Sequence, residues 1–228
     1  MIRLVLFDID GTLIHTSGAG EKAFARVFTN FFGISDGTEK LKFAGRTDVA
    51  VLREFLVHNA IESSPENLEQ FFDAYVFLLE HNLQSLPGGV HPGVWNWLGE
   101  LRALSQPPII GLLTGNIRLG AEIKLRHFDL WDRFATGAFA DDSSERNEIA
   151  AIAKRRGEAL LGETLRGDEI LVIGDTPLDI ACARSIGAKV LAVGTGMYRP
   201  KDLLPLQPDW AVDNLEKLSA KEICGGTP

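Results

Sequence analysis

Two cysteines in 228 residues, Cys182 and Cys224, are too few for a disulfide framework, and no Cys or His cluster has the spacing of a zinc site. Both thiols are expected to be reduced, Cys182 as a small core residue of a helix and Cys224 in a Gly-rich tail. No apolar run approaches the ~20 residues that a bilayer span needs, so no membrane partner is expected. The chain opens with no charged stretch followed by an apolar segment and a small-residue cleavage site, which makes the cytoplasm the expected compartment. Positive charge is scarce: 23 Lys and Arg against 31 Asp and Glu leave a net −8, which repels a phosphate backbone and argues against nucleic acid. Repeats and low-complexity tracts are absent, and a hydrophobic fraction of 45% excludes a disordered chain. What remains is a globular chain, long enough for one large domain or for a domain carrying a smaller insertion.

Short apolar runs stand where buried strands would: Ile2 to Phe7, Ile109 to Leu113, Ile170 to Gly174 and Val190 to Val193, with weaker runs at Ala135 to Phe139 and Trp210 to Val212. Runs apolar on both faces suit a parallel sheet. Helical spacing lies between them, in Val94, Leu98 and Leu101 with Trp97 and Leu104, from Ile117 to Phe128, and around Ile149 to Ala153. The alternation implies a doubly wound α/β sheet with a Rossmann-type core. Residues 15–83 break it, with helices expected at Ala19 to Phe32, Thr47 to Asn59 and Pro65 to Asn82. They are expected to form a helical domain inserted after the first strand, with residues 1–14 and 84–228 making the α/β core and hinges at Ile14 to Gly18 and Gln84 to Gly89. The stripe Phe71, Phe72, Tyr75, Val76, Leu78, Leu79 reads as that insertion's own core. Glu222 to Pro228 reads as a frayed tail.

In a doubly wound sheet, ligands collect beyond the carboxyl ends of the strands. Asp8 and Asp10 follow the first run, two residues apart in a chain still extended, and so project to one side. Paired carboxylates stay ionised only beside a cation, and hard oxygen donors favour Mg²⁺. Thr114-Gly115-Asn116 follows the second run, the acidic loop Asp141 to Glu145 leads to Arg146, and Asp175-Thr176-Pro177-Leu178-Asp179 follows the run ending at Gly174. Three acidic positions, a hydroxyl with backbone N–H groups at a turn, and a fixed cation together make the equipment for phosphoryl transfer. Each residue also has a structural reading. Thr114 or Asn116 could cap a helix starting near Ile117. Thr176 as N-cap and Pro177 at the first helical position would put Asp179 third, where an acid suits the helix dipole.

The segments DIDGTL, LLTGN, Arg146 at a helix start and GDTPLD, in that order and after those strands, resemble the haloacid dehalogenase superfamily, and within it the phosphoglycolate phosphatase-like hydrolases. The resemblance spans the chain, with residues 15–83 in the place of the family's helical cap. It implies a phosphatase of small phosphorylated metabolites in which Asp8 attacks phosphorus to give an aspartyl-phosphate. Asp10 would protonate the leaving alcohol and later deprotonate water. Thr114, with Gly115 and Asn116, would bind phosphate oxygens, and Arg146 would neutralise the transferring group. Mg²⁺ would be held by Asp8, the carbonyl of Asp10 and Asp175, with Asp179 as either a further ligand or a support. Arg146 departs from the commoner Lys, and Lys124, Arg126 and Arg133 lie close enough in sequence to be mistaken for it. In the cap, Gly45-Arg46-Thr47-Asp48 is the polar turn: Arg46 and Thr47 would contact an acidic or hydroxylated leaving group, or Thr47 would cap a helix with Arg46 solvated. His15 and Thr16 are further candidates near the first hinge. Phosphoglycolate is the leading substrate, and a monomer or homodimer is expected. The alternatives are a phosphonate hydrolase using a cap lysine (Lys22, Lys40 or Lys42), a phosphomutase, or a non-catalytic metal- or partner-binding module. Dehalogenation needs no acid at position 10, so Asp10 argues against it.

Overall fold

The computed structural model describes residues 1–39 and 41–225. In chain order, β1 (Leu4–Phe7) and the short β2 (Ile14–His15) lead into α1 (Ala19–Phe32), α2 (Asp48–His58) and α3 (Pro65–Ser85). Then come β3 (Gly89–Val90), α4 (Val94–Ala103), β4 (Ile109–Leu113), α5 (Arg118–His127), β5 (Thr136–Ala138), α6 (Arg146–Leu161) and β6 (Ile170–Gly174). The chain finishes with α7 (Pro177–Ser185), β7 (Lys189–Val193), α8 (Pro200–Leu203), β8 (Trp210–Val212) and α9 (Ala220–Cys224). Six strands form one sheet in the order β5-β4-β1-β6-β7-β8, parallel at every pairing. No helix among the described residues is long and apolar enough to cross a membrane.

The two-residue side-chain period of a strand decides what each sheet face buries. From β1, Val5 and Phe7 join Trp97, Leu98, Leu101 and Leu125 on one face, while Leu4 and Leu6 meet Ile149, Ala150 and Ala153 of α6 on the other. Helix α6 approaches β1 so closely that a Cβ on Gly157 would lie 2.6 Å from Leu4 Cδ2, and Leu4 would have to shift to admit it. The sheet is therefore sandwiched between helices, as its apolar runs require.

The helices α1 to α3 make a third core, in which Phe24, Phe28, Phe55, Phe71, Tyr75 and Leu79 are all buried and the Phe28 and Phe55 rings stack. Of the aromatic and aliphatic stripe, Phe71, Tyr75 and Leu79 fill this core, and Phe72, Val76 and Leu78 flank it. Start signals sit where helix physics wants them: the Thr47 hydroxyl accepts from Ala50 N–H at 3.1 Å, and the Ser64 hydroxyl from Asn67 N–H at 3.2 Å ahead of Pro65. The helical segment leaves and rejoins the core through β2 and β3, paired antiparallel with Ile14 opposite Val90.

The tail departs from expectation. Ser219 caps α9, and Cys224 is 1% exposed within the core that holds α4, so the stretch up to Cys224 is packed rather than frayed. Residues 226–228 lie outside the described residues.

Candidate active site

The carboxyl ends of β1, β4 and β6 meet at one cavity of about 320 Å³. Asp8 directly follows β1, and its N–H donates to the Ile173 carbonyl at 2.9 Å, which keeps the chain extended one residue past the strand. Asp175 directly follows β6. Gly11 turns the chain back with φ +80, and a Cβ there would strike the Asp175 carboxyl at 2.5 Å; both facts demand glycine. The Thr12 hydroxyl donates to Asp175 Oδ1 at 2.9 Å and fixes that carboxyl's orientation.

Asp8, Asp175 and Asp179 are all buried, with one oxygen from each lying within 4.8 Å of the others. Burial, then the charge of Asp179, pushes the Asp8 carboxyl up to about 7, against a downward pull from Arg146. Burial, then Asp179 and Asp8, raises Asp175 well above the usual carboxylate range. Dry carboxylates crowded together with less positive charge than they carry are what a divalent cation relieves, and all the donors are hard oxygens. The donor chemistry therefore fits Mg²⁺.

Asp179 is committed elsewhere. Its Oδ2 accepts from Thr176 N–H at 3.0 Å and the Thr176 hydroxyl at 2.7 Å, in a capping box at the start of α7. Its Oδ1 accepts from Arg146 Nη2. Both oxygens accept hydrogen bonds and Asp179 is absent from the cavity lining, which favours its supporting role over direct ligation. Arg146, the first residue of α6, lines the cavity and also brings Nη1 to 3.6 Å from Asp8 Oδ1. Its buried Nε has no hydrogen-bond partner among the described residues. Burial pulls its pKa down, but the charges of Asp179 and Asp8 outweigh that and raise it, so it is a permanent cation.

After β4, the buried Thr114 hydroxyl accepts from the Asn116 N–H at 3.3 Å and Nδ2 at 2.8 Å, which leaves its own proton free to donate into the cavity. Asn116 Nδ2 also reaches Asp10 Oδ2 at 2.8 Å. The helical segment docks here: Asp48 N–H donates to the Gly115 carbonyl at 2.7 Å, and Asp48 Oδ2 accepts from Ile117 N–H at 2.8 Å, capping α5 from another helix. A Cβ on Gly115 would lie 2.1 Å from the Arg46 carbonyl, so glycine lets the two layers touch.

The cavity lining thus brings together Asp8, Asp10, Thr114, Gly115, Asn116, Arg146, Asp175 and Arg46, and His15 and Thr16 line it too. Of the two residues of the polar cap turn, one lines the cavity and the other caps a helix. Thr47 does not line the cavity: its hydroxyl caps α2 and donates to the Ser144 carbonyl at 2.9 Å. Arg46 lines the cavity, with its guanidinium paired to Glu54 at 2.5 Å. Of the cap lysines, Lys22 and Lys42 are exposed and line no part of the cavity, and Lys40 lies outside the described residues.

One residue was misjudged from sequence. Lys124 is not a decoy for Arg146. It is a buried cavity residue, with Nζ donating to Asp10 Oδ2 at 2.7 Å and to Asn116 Oδ1 at 2.6 Å. Its signal was positional: on α5 it shares a buried face with Gly120, Ala121 and Leu125, where a lone ammonium needs a partner.

The chain is 28% identical over 223 residues to the phosphoglycolate phosphatase of Chromobacterium violaceum, spanning 95% of each. It is 24% identical over 219 residues to pyrophosphatase PpaX of Halalkalibacterium halodurans, again spanning 95% of each. The fold is similar to that of CbbY from Rhodobacter sphaeroides, solved in complex with phosphate, with a TM-score of 0.74 at 18% identity over 96% of both chains. Residues 5–193, from β1 through β7 and including every acidic, hydroxyl and cationic side chain placed above, match a single family description. The chain belongs to the haloacid dehalogenase-like hydrolases.

Proposed function

We propose that this hydrolase is a Mg²⁺-dependent phosphatase of small phosphate monoesters, working through an aspartyl-phosphate on Asp8. The observation that carries the reading is the convergence of Asp8, Asp10, Thr114, Arg146 and Asp175 on one cavity. Asp8 attacks phosphorus while the P–O bond to the leaving alcohol breaks. Asp10 protonates that leaving oxygen, and in the second step removes a proton from the water that attacks the aspartyl-phosphate. Thr114 donates its free hydroxyl proton to a phosphate oxygen, and Arg146 balances charge beside Asp8. The Asp8 carboxylate, the Asp10 carbonyl and Asp175 would hold the metal, with Asp179 anchoring Arg146 rather than ligating. Bound there, Mg²⁺ supplies the positive charge that lets one anion approach another. The helices docked on Gly115 exclude water and shape the leaving-group side.

Phosphoglycolate is the leading substrate, supported by the name of the Chromobacterium violaceum relative; pyrophosphate, from PpaX, belongs in the same panel. The same reading places the protein in the cytoplasm, as a monomer or homodimer without nucleic-acid or membrane partners, which the net charge of −8 supports for nucleic acid. Phosphate release should be followed from phosphoglycolate, pyrophosphate, sugar phosphates, nucleotides and p-nitrophenyl phosphate, each with Mg²⁺ and with EDTA. Release with Mg²⁺ that EDTA abolishes is expected. A folded, Mg²⁺-binding protein that releases phosphate from none of them would sink the reading.

A further inference from the structure

We propose that Lys124 is a positioning residue for Asp10, an inference that rests on the phosphatase reading. Lys124 is 4% exposed, on a helix of the core rather than of the inserted segment. It gives one N–H to Asp10 Oδ2 and another to Asn116 Oδ1, while Asn116 Nδ2 donates to the same Asp10 oxygen. Oδ2 is thus held by two donors at 2.7 and 2.8 Å. Oδ1 accepts no hydrogen bond among the described residues and is left to meet the leaving group.

The burial asymmetry argues that the pair is not there for stability. Asp10's side chain is 43% exposed and that of Lys124 only 5%. Drying an ammonium to reach a carboxylate that stays half in water returns little folding energy. What it does secure is a direction. A carboxyl on an otherwise mobile side chain is held so that Oδ1 gives its proton to the departing oxygen as the P–O electron pair settles there.

Leaving-group chemistry separates this role from plain support of the fold. An alkyl phosphate must expel an alkoxide and needs the proton; p-nitrophenolate departs without it. In Lys124→Met, with Mg²⁺ present, kcat on phosphoglycolate or glycerol phosphate is expected to fall about 100-fold, against less than about 5-fold on p-nitrophenyl phosphate, with KM little changed. Lys124→Gln, which retains a neutral donor, should fall between wild type and Lys124→Met on the alkyl esters. Equal losses on both ester types, or undiminished alkyl turnover in a folded variant, would overturn the proposal. Failure of both variants to fold, read by circular dichroism, would mark a structural ion pair and overturn it equally. A wild type inactive on every ester would instead overturn the phosphatase reading, and this role with it.

Discussion

Asp8→Asn is expected to cost roughly 10⁴-fold or more in kcat on every phosphate ester, because an amide cannot serve as the nucleophile and nothing else in the cavity replaces it. The loss will not come from unfolding. Asn preserves the volume of a buried side chain whose carboxyl is raised from the usual 3.8 to about 7 by burial and by the Asp179 charge. A carboxyl raised in the folded state favours folding while protonated, and that contribution disappears as pH climbs from about 4 through about 7. Above that window the metal-free wild type carries the cost of an ionised Asp8 and the variant does not. In EDTA at pH 8, Asp8→Asn should therefore melt at or above the wild-type temperature. A variant that melts far lower, or that keeps more than a few per cent of wild-type activity, would contradict this placement of the nucleophile.

Arg146→Met carries the second large effect, on activity and stability together. The guanidinium bridges Asp179 and Asp8, and its removal leaves buried carboxylates facing each other with no cation. Stability should drop by about 3–5 kcal/mol, the cost of stranding one partner of a buried pair. Activity should drop about 10²- to 10³-fold through loss of charge beside the transferring group. The double variant Arg146→Met with Asp179→Asn should regain part of the stability, since Asp8 is then the one former partner left without its cation, yet none of the turnover. Chemical denaturation and phosphate release on the same samples separate the two outcomes. Recovery of both together would mean that Arg146 serves the fold alone.

The parallel sheet was legible because strands buried on both faces are written as unbroken apolar runs: Ile109 to Leu113, Ile170 to Gly174 and Trp210 to Val212 are strands end to end. α1 coincides with its expected range, and α7 begins with the expected Thr176 cap and Pro177. Short pieces held by tertiary contact were not legible. The β2–β3 pairing joins Ile14 to Val90 across the whole helical segment, and no local pattern announces so distant a partner. Cys224 looked loose among glycines, yet Ser219 with Glu222 forms a capping box that starts a helix there.

At the site, Asp8, Thr114 and Asp175 were readable because each sits one step past a strand. Lys124 and Asp48 were not, because their partners, Asp10 and the start of α5, come from other elements, and only folding brings them within hydrogen-bond reach. Arg46 lines the cavity as the polar turn implied, but its pairing with Glu54, eight residues on, was not legible from the turn alone.

The most direct test is to trap the covalent step. The enzyme should be mixed with phosphoglycolate and Mg²⁺, quenched into borohydride during turnover, and the peptide carrying Asp8 read by mass spectrometry. An acyl phosphate on Asp8 is reduced to an alcohol. The expected result is that alcohol at position 8, seen only with substrate and Mg²⁺ and absent after EDTA. Turnover at full rate with Asp8 recovered unmodified, and the reduced side chain found elsewhere or nowhere, would contradict the assignment of Asp8 as nucleophile.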